Sequence, residues 1–188
     1  MENKEQKKEK TFDFKKEIRE WFFILLTAAG IALFLNTFII ANSRVPSNSM
    51  ETTIMTGDRI IGSRLAYITG DPQRGDIVIF NHKIDTSGKE TRLVKRVIGL
   101  PGETVDIVDG KVYINDSDTP LDEPYLPEPM VGEFGPFEIP EDSYFMMGDN
   151  RNDSYDARYW HNKFVDRSEI MGKVIFKYFP VSYTHLTL

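Results

Sequence analysis

Residues 103–115 read ETVDIVDGKVYIN. Asp109-Gly110 sits between two strand-like runs, a strong β-hairpin signal because both residue types tolerate the positive φ of a tight turn. Working outward, the same grammar repeats. Short β-rich runs separated by Gly, Pro and Asp occur as DRIIGSRLAY at 58–67, GDIVIFNHKI at 75–84, RLVKRVIGL at 92–100, SYFMMG at 143–148 and GKVIFKYF at 172–179. Several short strands with turn signals between them predict a mainly β domain, an antiparallel barrel or sandwich, over residues 44–181. Residues 117–142, SDTPLDEPYLPEPMVGEFGPFEIPED, are rich in Pro and acids and read as an extended loop or small insertion over that core. Residues 182–188 carry no motif and read as a tail, or as a scar from cloning or assembly.

The domain stands behind a different kind of segment. Residues 21–41, WFFILLTAAGIALFLNTFIIA, contain no charge, and about 20 such residues as a helix cross a bilayer core of about 30 Å. Trp21 sits at one end, where aromatic rings favour the interface, and Asn36 reads as a helix-contact or snorkelling residue. A cleaved signal peptide is the competing reading, but its apolar region runs to about 7–15 residues. Residues 1–20 are rich in both Lys and Glu and read as a charged tail. Lys15, Lys16 and Arg19 precede the span closely, and only Arg44 follows it closely. The expectation is a cytoplasmic N-terminus, one pass through the cell membrane and an extracytoplasmic β domain.

Composition removes several function classes. A formal net charge of −6 gives no basic stripe for nucleic acid. The absence of cysteine excludes a thiol nucleophile, a disulfide framework and Cys-bound zinc. The three histidines, His82, His161 and His185, show no metal-ligand spacing. No metal site is expected, and a catalytic histidine is disfavoured.

Directly after the span comes VPSNSM at 45–50. A serine hydroxyl is a poor nucleophile until a neighbouring base takes its proton. With histidine disfavoured, the candidate bases are a carboxylate or a neutral lysine. Lys95 lies in RLVKRVIGL, where strand alternation puts Leu93, Lys95 and Val97 on one face. If that face is buried, desolvation lowers the lysine pKa, by up to about 3–5 units. The bland alternative is an edge-strand lysine with its head in water. For Ser47 and Ser49 the bland alternative is an ordinary polar loop.

Four motifs together bear on those alternatives: PSNSM at 46–50, KRVIGLPGE at 95–103, GDNRNDSYDARYW at 148–160 and MGKVIFKYFP at 171–180. In this order, behind an N-terminal span, they resemble the bacterial type I signal peptidases, and more closely the single-span Gram-positive type. The resemblance implies a membrane-bound serine endopeptidase that removes signal peptides from exported preproteins, cutting after small residues at −1 and −3. It implies Ser49 as nucleophile and Lys95 as general base, with Ser47 and the Ser49 backbone N–H forming the oxyanion hole. Ser154 would orient the lysine. Asp156 and Arg158 would pair to hold that loop, and Asp149, Asn150 and Arg151 would support it. Met50 would line the cleft or a membrane-facing surface. No cofactor is implied. The implied partners are preprotein signal peptides and the lipid bilayer, with proximity to the export machinery.

The chain departs from the family pattern at Thr52, where proline is common, at Asn152-Asp153, where Asp-Asn is usual, and at His161, where glycine is common. Two other readings stand beside the peptidase. Self-cleaving repressors share the Ser–Lys chemistry but carry a DNA-binding domain in place of a span. An inactive, membrane-tethered relative would bind preproteins without cutting them; the presence of Ser49 and Lys95 counts against it.

Overall fold

The computed structural model describes residues 14–68 and 70–179. The expectations for residues 1–13, for the tail at 182–188 and for His185 lie outside the described residues. Two compact units divide the chain near Thr37. In the first, α1 (Phe14–Phe34) continues into a π-helical turn, Leu35–Ile39. Together they form a helix of 26 residues, long and apolar enough to cross a membrane by length and composition. None of the α1 side chains is buried, so the helix presents a continuous apolar surface. The helix begins before Trp21 because residues 14–20 continue it, with Lys16 and Glu20 one turn apart at 4.0 Å.

The second unit is antiparallel β. Its strands are β1 (Ile40–Arg44), β2 (Arg59–Ser63), β3 (Ile77–His82), β4 (Thr91–Gly99), β5 (Thr104–Val108), β6 (Lys111–Ile114), β7 (Phe134–Glu138), β8 (Ser143–Met147), β9 (Phe164–Asp166) and β10 (Ile170–Phe179). Seven of them form one sheet in the order β1-β2-β10-β3-β4-β8-β9, and β6-β5-β7 form a second. The fold is therefore mainly β with one N-terminal apolar helix. The Asp109-Gly110 turn joins β5 to β6 with both φ values positive, 50° and 71°, as a type I′ hairpin turn requires.

Two differences from the sequence reading have clear causes. Ile40 and Ala41 end the apolar run, yet they begin β1, because Ala41 and Ser43 alternate inward against β2. Residues 117–142 are not all loop. Their Phe134–Glu138 stretch forms β7 on an outer position of the small sheet, the position where a strand tolerates Pro136.

The apolar interior has two parts. The larger lies around Val78, Phe80, Val97, Phe145, Met146 and Trp160. The smaller comprises Ala41, Val45, Met50, Ile54, Ile60, Ile79 and Val94. The smaller cluster positions the site, because Met50 follows Ser49 and Val94 precedes Lys95.

Candidate active site

Ser49 lies in the connection from β1 to β2. That loop is pinned at its base by paired backbone bonds, Val45 N–H to Asp58 O at 2.9 Å and Gly57 N–H to Val45 O at 2.8 Å. A further turn closes when Ile54 N–H donates to Met50 O at 2.9 Å. Met50 is 0% exposed within the smaller cluster. It therefore does not line a cleft or face a membrane; it anchors the loop as core, fixing the backbone beside Ser49. The Ser47 and Ser49 hydroxyl oxygens are 3.3 Å apart. Among the described residues, no backbone carbonyl accepts from the Ser49 N–H.

Lys95 sits in β4 opposite Val78 of β3. It is 3% exposed, and its Nζ donates to Ser154 Oγ at 2.9 Å. Burial pulls its pKa from 10.5 down to about 8, and the Arg158 cation also lowers it, while Asp156 and Asp149 act in the opposite direction. Ser47, Ser49 and Lys95 line one small crevice with Val45 and Leu93. Lys95 is thus a buried lysine, not an edge lysine with its head in water. β8 pairs with β4 only between Arg96 and Gly99. Among the described residues, the Thr91–Lys95 half of β4 has no strand on that edge.

The loop after β8 carries the other implied residues, and the structure brings all of them to this place. Asn150 N–H donates to Ser49 O at 3.1 Å, and its side-chain amide donates to Asn48 O at 3.2 Å. The Asn48 amide in turn donates to the Asp153 carboxylate. Asp149, fully buried, accepts two bonds from Arg96 at 2.8 and 2.6 Å. Arg151 forks onto Glu123 at 2.9 and 2.5 Å, and its Nε donates to Gly148 O at 3.0 Å. Asp156 accepts from Arg158 Nε at 2.8 Å and from Gly148 N–H at 3.0 Å. Arg158 also donates to Arg151 O at 2.6 Å.

Residues 18–179 match the protein family described as Signal peptidase, peptidase S26. A probable signal peptidase I-2 of a Synechocystis strain is 40% identical over 159 residues, covering 84% of this chain and 71% of that protein. Signal peptidase I P of Bacillus subtilis subsp. natto is 36% identical over 185 residues, covering 93% and 96%. A solved signal peptidase I from Enterococcus faecalis is 35% identical, with 56% of this chain and 97% of that chain covered at a TM-score of 0.45. The chain belongs to the signal peptidase family S26.

Within this signal peptidase, four residues at the site escaped sequence reasoning. Thr53 Oγ1 donates to Asp149 at 2.6 Å, tying the serine loop to the loop after β8. Arg96, next to Lys95, carries the Asp149 pair and stacks over the Tyr125 ring at 3.8 Å. Glu123 neutralises Arg151 from inside the Pro-rich segment. Gly148 is the contact point itself: a Cβ there would collide with both Ser154 Oγ and Ser49 O. Arg96 was visible beside Lys95 in its motif. Glu123 had no local signal, because its partner is 28 residues away. Thr52, the departure from the family pattern, is exposed. His82 is buried between Glu169 and the Asn162 carbonyl, at 2.9 and 2.8 Å, remote in role from the serine.

Ser154→Ala removes the only hydroxyl that holds the Lys95 head among the described residues. The expected result is a fall in kcat of about 10²-fold with little change in KM, because misplacing a reacting group is costly while substrate contacts remain. Steady-state kinetics on a preprotein substrate checks it.

Proposed function

We propose that this protein is a membrane-anchored serine endopeptidase that removes signal peptides from preproteins with Ser49 as nucleophile and Lys95 as general base. The observation that carries the reading is Lys95: buried, held by Ser154, depressed to about 8 and sharing a crevice with Ser49. At pH 7 an ordinary lysine is neutral in about one molecule in 3,000, and one at about 8 in roughly one in ten. Neutral Lys95 takes the Ser49 proton as Oγ attacks the scissile carbonyl. The developing oxyanion is met by the Ser47 hydroxyl and the Ser49 N–H. Lys95 returns the proton to the leaving amine, and the acyl-enzyme forms. Lys95 then deprotonates water, which attacks the ester and releases Ser49.

Substrate binding follows from the free edge of β4. A signal peptide extended along Thr91–Lys95 adds its backbone to the sheet and presents alternate side chains to the crevice wall at Val45 and Leu93. The crevice is small, which suits Ala at −1 and −3. The helix Phe14–Ile39 anchors the enzyme in the bilayer. Lys15, Lys16 and Arg19 set the N-terminus on the cytoplasmic side, leaving the β unit on the far side, where exported preproteins emerge from the export machinery.

The test is cleavage of a preprotein with Ala at −1 and −3, in detergent micelles, by wild type and Ser49→Ala. Processing by the wild type alone supports the reading. Processing by both removes Ser49 as nucleophile, and processing by neither folded protein removes the peptidase activity.

A further inference from the structure

Between Lys111 and Arg151 the chain carries ten aspartates and glutamates and no lysine, arginine or histidine. Part of this acidic stretch walls a cavity away from Ser49. The Asp109-Gly110 hairpin turn lines one side and residues 120–130 the other, leaving about 470 Å³, a volume typical of small-ligand sites. Gly110 approaches the Met130 carbonyl so closely that a Cβ there would collide with it. The lining is mixed. Leu121, Leu126 and Met130 supply an apolar wall. Asp109 and Glu128 are exposed carboxylates on it, and neither forms an ion pair among the described residues. Lys111 is the one basic residue that lines it.

The same segment moors the turn that leads to Ser154. Every side-chain bond of Asn152 among the described residues ends here: it donates to Glu128 at 2.8 Å and to Pro129 O at 3.0 Å, and accepts from Val131 N–H at 2.9 Å. An aspartate at 152, usual in the family pattern, could donate neither bond. Met130 Sδ accepts from Arg158 at 3.2 Å, and Glu123 holds Arg151. Arg151 and Asn152 open the 3-10 turn that ends at Asp153, next to Ser154, whose hydroxyl holds Lys95. We propose that the cavity is a second binding site, for a basic peptide segment with an apolar side chain, and that its occupancy steadies the turn behind Lys95. The apolar side chain packs on Leu121, Leu126 and Met130, and its basic neighbours meet Asp109 and Glu128. The ten uncompensated acids of the stretch repel an acidic partner and draw a basic one. Binding there joins the hairpin to residues 120–130 and so restrains the segment that Asn152 grips. The binding stands apart from the peptidase reading above; its effect on rate rests on that reading.

Full-length Ser49→Ala in non-ionic detergent is titrated by calorimetry with three end-blocked peptides, Lys-Leu-Lys, Lys-Gly-Lys and Glu-Leu-Glu. The expected result is that Lys-Leu-Lys binds best, and that adding Asp109→Asn and Glu128→Gln weakens it about fivefold. Both changes keep the local structure: Asn-Gly suits the same hairpin turn, and a glutamine oxygen still accepts from Asn152. In hydrogen exchange, saturating Lys-Leu-Lys should slow residues 151–157 of Ser49→Ala. Adding Asn152→Asp should leave the peptide bound and abolish the slowing. In the wild type the peptide should raise kcat on a preprotein about fivefold with KM unmoved. The proposal is overturned if Lys-Leu-Lys does not bind, if either control peptide binds as tightly, or if the two neutralised carboxylates leave its affinity unchanged. It is equally overturned if bound peptide leaves exchange at 151–157 unaltered, if Asn152→Asp keeps the slowing, or if an active wild type keeps its kcat. A wild type that processes no preprotein rejects the peptidase reading instead, and titration and exchange then decide the binding site by themselves.

Discussion

Lys95→Met is expected to lower turnover by at least about 10³-fold and, at pH 7, to make the folded unit more stable. The two effects have one cause. The Lys95 ammonium is buried at 3% exposure, and its pKa falls from 10.5 to about 8. Folding therefore carries a charge penalty of about 3 kcal/mol at neutral pH. Met keeps the aliphatic stem without the charge. It also leaves Ser154 Oγ without its partner, which costs about 1 kcal/mol, so the net gain is about 2 kcal/mol. The pH dependence fixes the sign. Between about 8 and 10.5 the unfolded chain binds the lysine proton and the folded one does not, so wild-type stability rises with pH across that window and the penalty is complete below it. Denaturant unfolding at pH 7 and pH 10 should show the variant ahead at pH 7 and the advantage gone at pH 10. Wild-type kcat/KM should climb tenfold per pH unit below about 8 and level off above it, since only neutral lysine accepts the serine proton. A variant no more stable than wild type at pH 7 would mean that the ammonium is solvated.

What the residues announced in advance was local. The Asp109-Gly110 hairpin, the apolar helix and the central strands carry their signals within a few positions: a turn pair, an uncharged run, a two-residue alternation. β1 stayed hidden because Ile40 and Ala41 also fit the end of the apolar run, and only pairing with β2 makes them strand. β7 stayed hidden because Gly135-Pro136 reads as a breaker, and only the outer place beside β5 makes it tolerable. The same division holds at the site. Ser49 and Lys95 stood out through their motifs, and strand alternation already gave Lys95 a face with Val97, which is fully buried. The face of Met50 could not be read, since a methionine after a serine fits a cleft or a core equally well. The contacts of Thr53, in the serine loop, and of Arg96, on β4, with Asp149 each join segments far apart in sequence, and no local pattern encodes such a meeting.

The buried pair behind Lys95 gives the other large effect. Asp156 and Arg158 bond at 2.8 Å with both side chains fully out of solvent. Removing one member strands the other's charge, so Arg158→Met and Asp156→Asn should each destabilise the unit by about 3–5 kcal/mol. The double variant strands neither charge, so it should be less destabilised than the sum of the singles, by about 2 kcal/mol. Their effects on catalysis should diverge. Arg158 lowers the Lys95 pKa and Asp156 raises it. Arg158→Met removes the repelling cation and leaves the attracting anion, so the rising limb of the pH–rate profile should move to higher pH. Asp156→Asn leaves the cation alone, and the limb should move to lower pH. A merely structural loss would reduce the rate in both variants without separating the two limbs. Opposite displacements in two equally weakened proteins would therefore tie the pair to the protonation of Lys95, whereas parallel profiles would confine it to holding the loop after β8 in place.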